Sequence, residues 1–343
     1  MKYKKIYVFG LSLLVALGMS GCGSNTKEDT KKVSKPDKVV IGTQEMPNDE
    51  GIAKAKKYFE KEMGVNVELK TFDSGKDVAM ALMTEDIDFG LPGSTGAALA
   101  IAQGAEVEYI WTHEILGTVE ELVVRDDIKT AADLKGKTIA TPFASTAHFS
   151  LLKYLDENAI DQKDVNILDM QTAEIYTAWE SGQIDAAYIW EPTKSKMTNA
   201  KTLVSSGEMA EKGFMTANVE LVTRSFADTY PELVTAYCRA LDKSVTMFKD
   251  DKKEAVKTIA DYMQLSEKDA EFQMSGSVWM NAEEQIGAQY MGTSDKKGAL
   301  VDNLYDMAQF LKDQKSITNV PDKSVFEKTV NPSYAEAVAK EKE

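Results

Sequence analysis

The stretch IDFGLPGSTGAALAIA, residues 87–102, joins a short apolar segment to a helical one through a turn of small and hydroxyl-bearing residues. The same order of features occurs in VELKTFDSGKDVAMAL (67–82) and in KTIATPFASTAHFSLLKYL (137–155). The first backbone N–H groups of a helix have no acceptor within it, and the helix dipole places partial positive charge there. We therefore expect strands that lead into helices, and we hypothesise that the three helix beginnings converge on one anion.

The length and the charge of the chain narrow the possible architectures and partners. A chain of 343 residues predicts two lobes of about 100–200 residues each. The formal net charge is −15, and no stripe of Lys and Arg stands out. Such a surface repels a nucleic acid, so we expect no nucleic-acid partner.

The first residues have the composition of a targeting segment. Lysines at positions 2, 4 and 5 precede an apolar run over 6–17, which is too short for a typical membrane span. The following LGMSGC (17–22) resembles the lipobox of bacterial lipoproteins, with Cys22 as the lipidated residue. We expect a lipoprotein signal peptide over 1–21 and a flexible tether over 22–37. The alternative is a plain secretory leader with an incidental cysteine.

Strands alternate with helices of ten to fifteen residues through most of the body, which is typical of an α/β fold with parallel sheets. The strands in EELVVRDD (120–127) and VELVTRSF (219–226) look alike, and we interpret them as two crossings between lobes. The predicted domains are listed by residue number: lobe 1 over 38–123, lobe 2 over 124–222, a helical return to lobe 1 over 223–331, and a charged tail over 332–343. Two crossings predict a cleft between the lobes, into which the carboxyl ends of the strands open.

The candidate site residues follow from this cleft. The three helix beginnings contribute hydroxyl groups and backbone N–H groups, and the residues concerned are Ser74, Gly75, Ser94, Thr95, Ser145 and Thr146. His148 lies in the first turn of the third helix and is a candidate donor to the anion. Trp190 ends a predicted strand, where its ring can pack against methylene groups or over a cation.

Enzyme chemistry finds little support in the sequence. The two histidines, His113 and His148, lie outside any catalytic motif, and no G-x-S-x-G elbow or metal-spaced His/Cys cluster occurs. The chain carries no P-loop. We therefore expect no enzyme activity, no catalytic residue, no metal and no cofactor.

Four motifs closely resemble the taurine-binding proteins of ABC importers, which belong to a wider nitrate, sulfonate and bicarbonate group. They are FDSG (72–75), PFASTAHFSLL (142–152), TAWESGQIDAAYIWEP (177–192) and RSFADTYPEL (224–233). The resemblance implies a two-lobe, periplasmic-binding-protein-like fold of type II. It also implies a monomeric receptor, held at the outer face of the cell membrane, that passes a small sulfonate to a membrane permease and its ATPase.

The resemblance also implies further site residues. Gln44 and Glu120 lie where the taurine-binding pattern has residues of the site, and Glu120 is a candidate acceptor for the ammonium of an amino-sulfonate. The pattern has Asp where this chain has Asn218, and Trp where it has Glu220. Asn218 accepts a hydrogen bond but supplies no charge, and Glu220 supplies one only if it faces the cleft. The recognition of the amine end is thus open at this point.

Alternative functions remain. The receptor can serve another small anion or zwitterion, such as an alkanesulfonate, isethionate or nitrate. An anchored enzyme on the same scaffold and a surface protein that binds other proteins are the alternatives from other classes.

Overall fold

Two β-sheets form the framework of the protein. The structure is a computed structural model and describes residues 34–342. The predicted signal peptide, Cys22 and the predicted tether as far as residue 33 lie outside the described residues. The strands are β1 Lys38–Thr43, β2 Asn66–Thr71, β3 Phe89–Gly90, β4 Val107–Leu116, β5 Glu120–Val124, β6 Thr138–Thr141, β7 Asn166–Asp169, β8 Ala186–Trp190, β9 Lys201–Ser205, β10 Ala217–Thr223 and β11 Ser277–Trp279.

Helices cover both sheets. They are α1 Asp49–Lys56, α2 Tyr58–Met63, α3 Gly75–Met83, α4 Ser94–Ala102, α5 Thr146–Glu157, α6 Thr172–Glu180, α7 Thr193–Lys196, α8 Ser206–Glu211, α9 Arg224–Thr229, α10 Pro231–Asp250, α11 Lys252–Met263, α12 Glu267–Met274, α13 Ala282–Gln285, α14 Leu300–Asp313, α15 Lys323–Thr329 and α16 Ser333–Lys340. Among residues 34–342, none of the helices combines the length and the apolar character that crossing a bilayer requires.

The two sheets have the same order of five strands. The first sheet runs β2-β1-β3-β10-β4, with β11 added at its edge, and the second runs β7-β6-β8-β5-β9. In each, three strands of a β-α-β-α-β run are parallel, with the first strand in the middle. A fourth strand, β10 or β5, lies antiparallel beside the third. Because parallel strands end at one edge of a sheet, α3 and α4, which follow β2 and β3, begin at the same edge of the first sheet. The helix α5, which follows β6, begins at the corresponding edge of the second sheet.

The strand β5 is the first strand of the second sheet, and β10 is the strand with which the chain returns to the first sheet. The predicted boundaries place 120–123 in lobe 1 and 217–222 in lobe 2, but β5 belongs to the second sheet and β10 to the first. The chain crosses before each of these strands, at 117–119 and at 212–216. The two similar sequences therefore mark the strands that follow the crossings, since each inserts antiparallel beside the third strand of its new sheet.

Other segments also differ from the sequence expectation. The helical segment that follows β1 is divided into α1 and α2 at Lys57, which adopts a left-handed conformation. The predicted charged tail over 332–343 forms the helix α16. Its apolar residues recur with helical spacing, so that Tyr334, Ala335 and Val338 are buried.

The first crossing is packed without room for a side chain. The N–H group of Val119 donates to the carbonyl oxygen of Gly276 at 3.2 Å. A Cβ atom on Gly117 would overlap that same carbonyl oxygen. Glycine at position 117 therefore lets the β4–β5 connection lie against the segment that precedes β11.

We expect Gly117→Ala to lower the free energy of unfolding by about 1–3 kcal/mol, because the backbone of the crossing must move away from Gly276. Urea denaturation monitored by circular dichroism measures this change. The exposed Lys129→Ala serves as a control, for which the change should stay within about 0.5 kcal/mol. Equal midpoints for the two variants would contradict close packing at the crossing.

Candidate functional site

A cavity lies between the two sheets, at the carboxyl ends of their parallel strands. Its empty volume is about 580 Å³, including its opening to solvent. The lining residues come from both sheets and from the turns that follow their strands. They are Gln44, Met46, Pro47, Gly75, Lys76, Gly93, Gly96, Glu114, Leu116, Val119, Glu120, Ala144, Ser145, Thr146, Trp190, Glu191 and Asn218.

The beginnings of three helices meet at this cavity because glycine occupies the contacts between them. A Cβ atom on Gly75 would lie 2.7 Å from the backbone nitrogen of Gly93, and one on Gly96 would lie 2.9 Å from the carbonyl oxygen of Gly75. These contacts join α3 to α4. A Cβ atom on Gly93 would lie 2.9 Å from Cγ2 of Thr146, the first residue of α5. The three helix beginnings predicted from the sequence are thus brought together.

These helix beginnings have backbone donors to offer. In α3 the Ser74 hydroxyl accepts from the third N–H group, and in α5 the Ser145 hydroxyl does the same at 3.1 Å. Within residues 34–342, no hydrogen bond reaches the first two N–H groups of either helix. The exposed Lys76, the second residue of α3, adds a full positive charge at the cavity. This end of the cavity is therefore suited to an anion.

Glu120 is buried beside Thr146. Its Oε2 atom accepts a hydrogen bond from the Thr146 hydroxyl at 2.5 Å, and its Oε1 atom accepts one from Ser206 at 2.6 Å. Burial raises the pKa of Glu120 to about 7, although these hydroxyl groups act in the other direction. Trp190 is the direct neighbour of Glu120 in the second sheet and is half-buried.

A second carboxylate, that of Glu114, lines the cavity from the first sheet. A bulge in β4 places it there: Val219 pairs with Thr112 and Asn218 pairs with Glu114, which leaves His113 as the extra residue. The side-chain amide of Asn218 donates to Glu114 at 2.7 Å. Burial raises the pKa of Glu114, and the hydrogen bond from Asn218 opposes this shift.

The structure brings many of the predicted site residues together. Gln44, Gly75, Glu120, Ser145, Thr146, Trp190 and Asn218 line the cavity. Gln44 also donates from Nε2 to the carbonyl oxygen of Leu91 at 2.9 Å, which fixes the loop after β1 against the loop after β3.

Three predicted hydroxyl residues lie behind the lining. Ser74 turns back onto its own helix and donates to Asp77 at 2.7 Å. Ser94 accepts from the N–H group of Ala217 at 3.2 Å and so fastens α4 to β10. Thr95 points towards the sulfur of Met307 in α14. Because α4 is buried on nearly all its faces, its hydroxyl groups serve packing, while its glycines face the cavity.

His148 also lies outside the lining. Its ring stacks on Phe143, with ring centroids 4.4 Å apart. Its Nδ1 atom accepts from the N–H group of Ala144 at 3.3 Å. Burial lowers the pKa of His148 to about 4, so that the ring is neutral at physiological pH. The side chain thus shapes the turn before α5.

Glu220 is not among the residues that line the cavity. It lies two residues beyond Asn218 on β10, about 7 Å along the strand. There its Oε2 atom meets Nε2 of His113 at 2.9 Å, and Nδ1 of His113 meets Asp49 at 2.7 Å. Although burial alone would lower the pKa of His113, its interactions with Asp49 and Glu220 hold the pKa well above 6.5.

Sequence reasoning missed several lining residues. Gly93 and Gly96 lie on either side of the predicted Ser94 and Thr95, in the stretch that begins α4. Lys76 directly follows the predicted Gly75 and was detectable as a cation in the first turn of the helix. Glu114 gave no signal, because its place in the cavity wall depends on a bulge that the partner strand β10 creates.

Comparison with known proteins identifies the family of this chain. The NMT1/THI5-like family model matches residues 51–255. The chain belongs to the NMT1/THI5-like family. A relative of this NMT1/THI5-like protein, the taurine-binding periplasmic protein of Escherichia coli strain K12, is 31% identical over 289 residues. The match covers 82% of this chain and 88% of that protein.

Solved structures match the NMT1/THI5-like fold over most of its length. The alkanesulfonate-binding protein SsuA from Xanthomonas axonopodis pv. citri, bound to MOPS, gives a TM-score of 0.68 at 22% identity, covering 87% of this chain and 99% of that one. The periplasmic aliphatic sulphonate binding protein SsuA from Escherichia coli also gives 0.68, at 19% identity, covering 85% and 92%. The predicted two-lobe, periplasmic-binding-protein-like α/β fold is thereby confirmed, as is the predicted family resemblance.

We expect the stability of the protein without a bound solute to depend on the ionisation of Glu120. The unfolded chain releases this proton near pH 4.5 and the folded chain near pH 7. The folded state is therefore favoured by the bound proton, and this contribution, on the order of 3 kcal/mol, is lost as the pH rises from about 4.5 to 7.

Denaturation of the wild-type protein and Glu120→Gln across this pH range measures the effect. The free energy of unfolding should fall with rising pH more steeply in the wild type, because the amide does not ionise. Parallel pH profiles of the two proteins would contradict the assignment.

Proposed function

We propose that this protein is the solute-binding component of an ABC importer and captures taurine or a related small sulfonate. The observation that carries the proposal is the meeting of the α3, α4 and α5 beginnings at one cavity. A sulfonate has three acceptor oxygens and one delocalised charge, which suits several directed N–H donors. The names of the taurine-binding relative and of the alkanesulfonate-binding structure support the same ligand class.

The opposite end of the ligand faces a different environment. In this proposal, the ammonium group of an amino-sulfonate pairs with the ionised carboxylate of Glu120. The ring of Trp190, beside Glu120, packs against the methylene groups or over the cation. Since Thr146 contacts both Gly93 and Glu120, the anionic and cationic ends of a short ligand would both be bound close to this residue.

The proposed cellular setting follows from the N-terminal sequence. Cleavage after residue 21 and lipidation of Cys22 would hold the receptor at the outer face of the membrane. There it would deliver the sulfonate, as a monomer, to a permease driven by a separate ATPase. The periplasmic location in the name of the taurine-binding relative supports a place outside the cytoplasm.

Binding without turnover is favoured over catalysis by the state of the histidines. His113 is fixed between two carboxylates, and His148 is neutral and stacked on Phe143. Within residues 34–342, no group of three or more metal-ligating side chains is arranged to hold a metal ion.

Isothermal titration calorimetry on the purified protein tests the proposal. The ligands are taurine, isethionate, short alkanesulfonates, nitrate and glycine betaine. We expect saturable heat from taurine or another sulfonate, and weaker or no heat from glycine betaine, which lacks the sulfonate. An absence of heat from every sulfonate would overturn the proposal.

We expect Lys76→Gln to weaken the binding of all sulfonates by about two- to tenfold at low ionic strength. Lys76 is exposed, so the loss should shrink as salt screens its charge. Lys268→Gln is a matched control, because Lys268 is likewise the exposed second residue of a helix, α12. An equal effect of both substitutions would show that only the overall charge matters.

A further inference from the structure

The buried carboxylates of this protein divide into two groups. Most have a cationic nitrogen within 4.0 Å. The pairs are Asp49 and Glu220 with His113, Glu50 with Lys54, Glu108 with Arg224, Glu121 and Glu191 with Lys194, and Asp242 with Lys342. Within residues 34–342, Glu114 and Glu120 have no such partner, and both line the cavity.

A buried carboxylate without a counter-charge is unfavourable unless something supplies the charge. Glu114 is 4% exposed and Glu120 is 1% exposed, so water compensates neither well. Every other buried carboxylate among residues 34–342 is paired with a cationic side chain, including Glu191, which also lines the cavity. The two exceptions lie where a bound ligand can supply the missing positive charge.

Glu114 is held in place by neutral donors from three other segments. Asn218 of β10 donates to Oε1 at 2.7 Å, and Asn48, the N-cap of α1, donates to it at 3.3 Å. The Ser277 hydroxyl of β11 donates to Oε2 at 3.1 Å. These contacts fix the orientation of the carboxylate and leave its charge uncompensated.

The adjacent histidine does not supply that charge through a direct contact. His113 precedes Glu114 in the chain, but both ring nitrogens are engaged by Asp49 and Glu220. Glu220 is paired with His113 and does not line the cavity. The sequence did not show which residue supplies a negative charge beside Asn218. In the structure, Glu114 is the carboxylate at that place.

We propose that Glu114 receives the cationic group of the bound ligand and sets the preference of the site for amino-sulfonates over sulfonates without a cation. This inference rests on the proposed function, because the sulfonate is bound by the helix beginnings. Glu114 acts as a second carboxylate beside Glu120, from the opposite sheet. A simple sulfonate would leave both buried charges uncompensated.

Taurine and isethionate test the inference, since they differ in an ammonium against a hydroxyl group on the same sulfonate. Calorimetry at pH 8 compares the wild type with Glu114→Gln. We expect the Kd for taurine to rise at least about tenfold, and the Kd for isethionate to change less than about threefold or to fall. Glu108→Gln is the control, because Glu108 is a buried carboxylate of the same strand that is paired with Arg224.

A second variant covers the case in which Glu114→Gln does not fold. Combining Glu114→Gln with Asn218→Asp exchanges the carboxylate and the amide and keeps a hydrogen bond between the two positions. We expect this double variant to retain the preference for taurine over isethionate. Equal losses for both ligands, or unchanged taurine binding by Glu114→Gln, would overturn the inference while leaving sulfonate binding intact. An inability of the wild type to bind any sulfonate would overturn the proposed function together with the inference.

Discussion

The close approach of three helix beginnings is the constraint on which the site depends. It exists because Gly75, Gly93 and Gly96 carry no side chain where α3, α4 and the first residue of α5 touch. A methyl group at any of these positions would push two helices apart, and their partial charges would no longer act on the same point. The shared strand order of the two sheets supports this arrangement, because it directs α3, α4 and α5 from the strand edges towards one cavity.

Positive and negative groups occupy different parts of the cavity. One end offers N–H groups and Lys76, and the walls carry Glu114 and Glu120 without cationic partners. Elsewhere in the described chain the buried acids are neutralised, even where this takes a histidine between two carboxylates. A zwitterion satisfies both halves of the cavity at once. Its ammonium would also favour the ionised form of Glu120, so ligand binding and proton release are coupled through the same residue.

The sequence predicted the helix beginnings well and their individual side chains less well. The pattern in 87–102 identified the start of α4, but Ser94 and Thr95 turn into the packing between α4 and its neighbours. An amino-acid sequence shows which residues cap a helix, whereas the face turned to a cavity depends on the neighbouring elements. Glu220 illustrates the same limit, since its charge is taken up by His113 on a strand that is distant in sequence.

The sequence by itself determined the alternation of strands and helices, the two similar strands that mark the crossings, and three hydroxyl-rich turns that lead into helices. These features are local, because they arise from hydrophobic period and from capping within a few residues. Only the tertiary structure decided which sheet β5 and β10 enter and which carboxylates remain without a counter-charge. The bulge at His113 is the clearest case: the partner strand β10 creates it, and it places Glu114 beside Asn218 in the cavity wall. Such a position depends on long-range pairing, which no local pattern encodes.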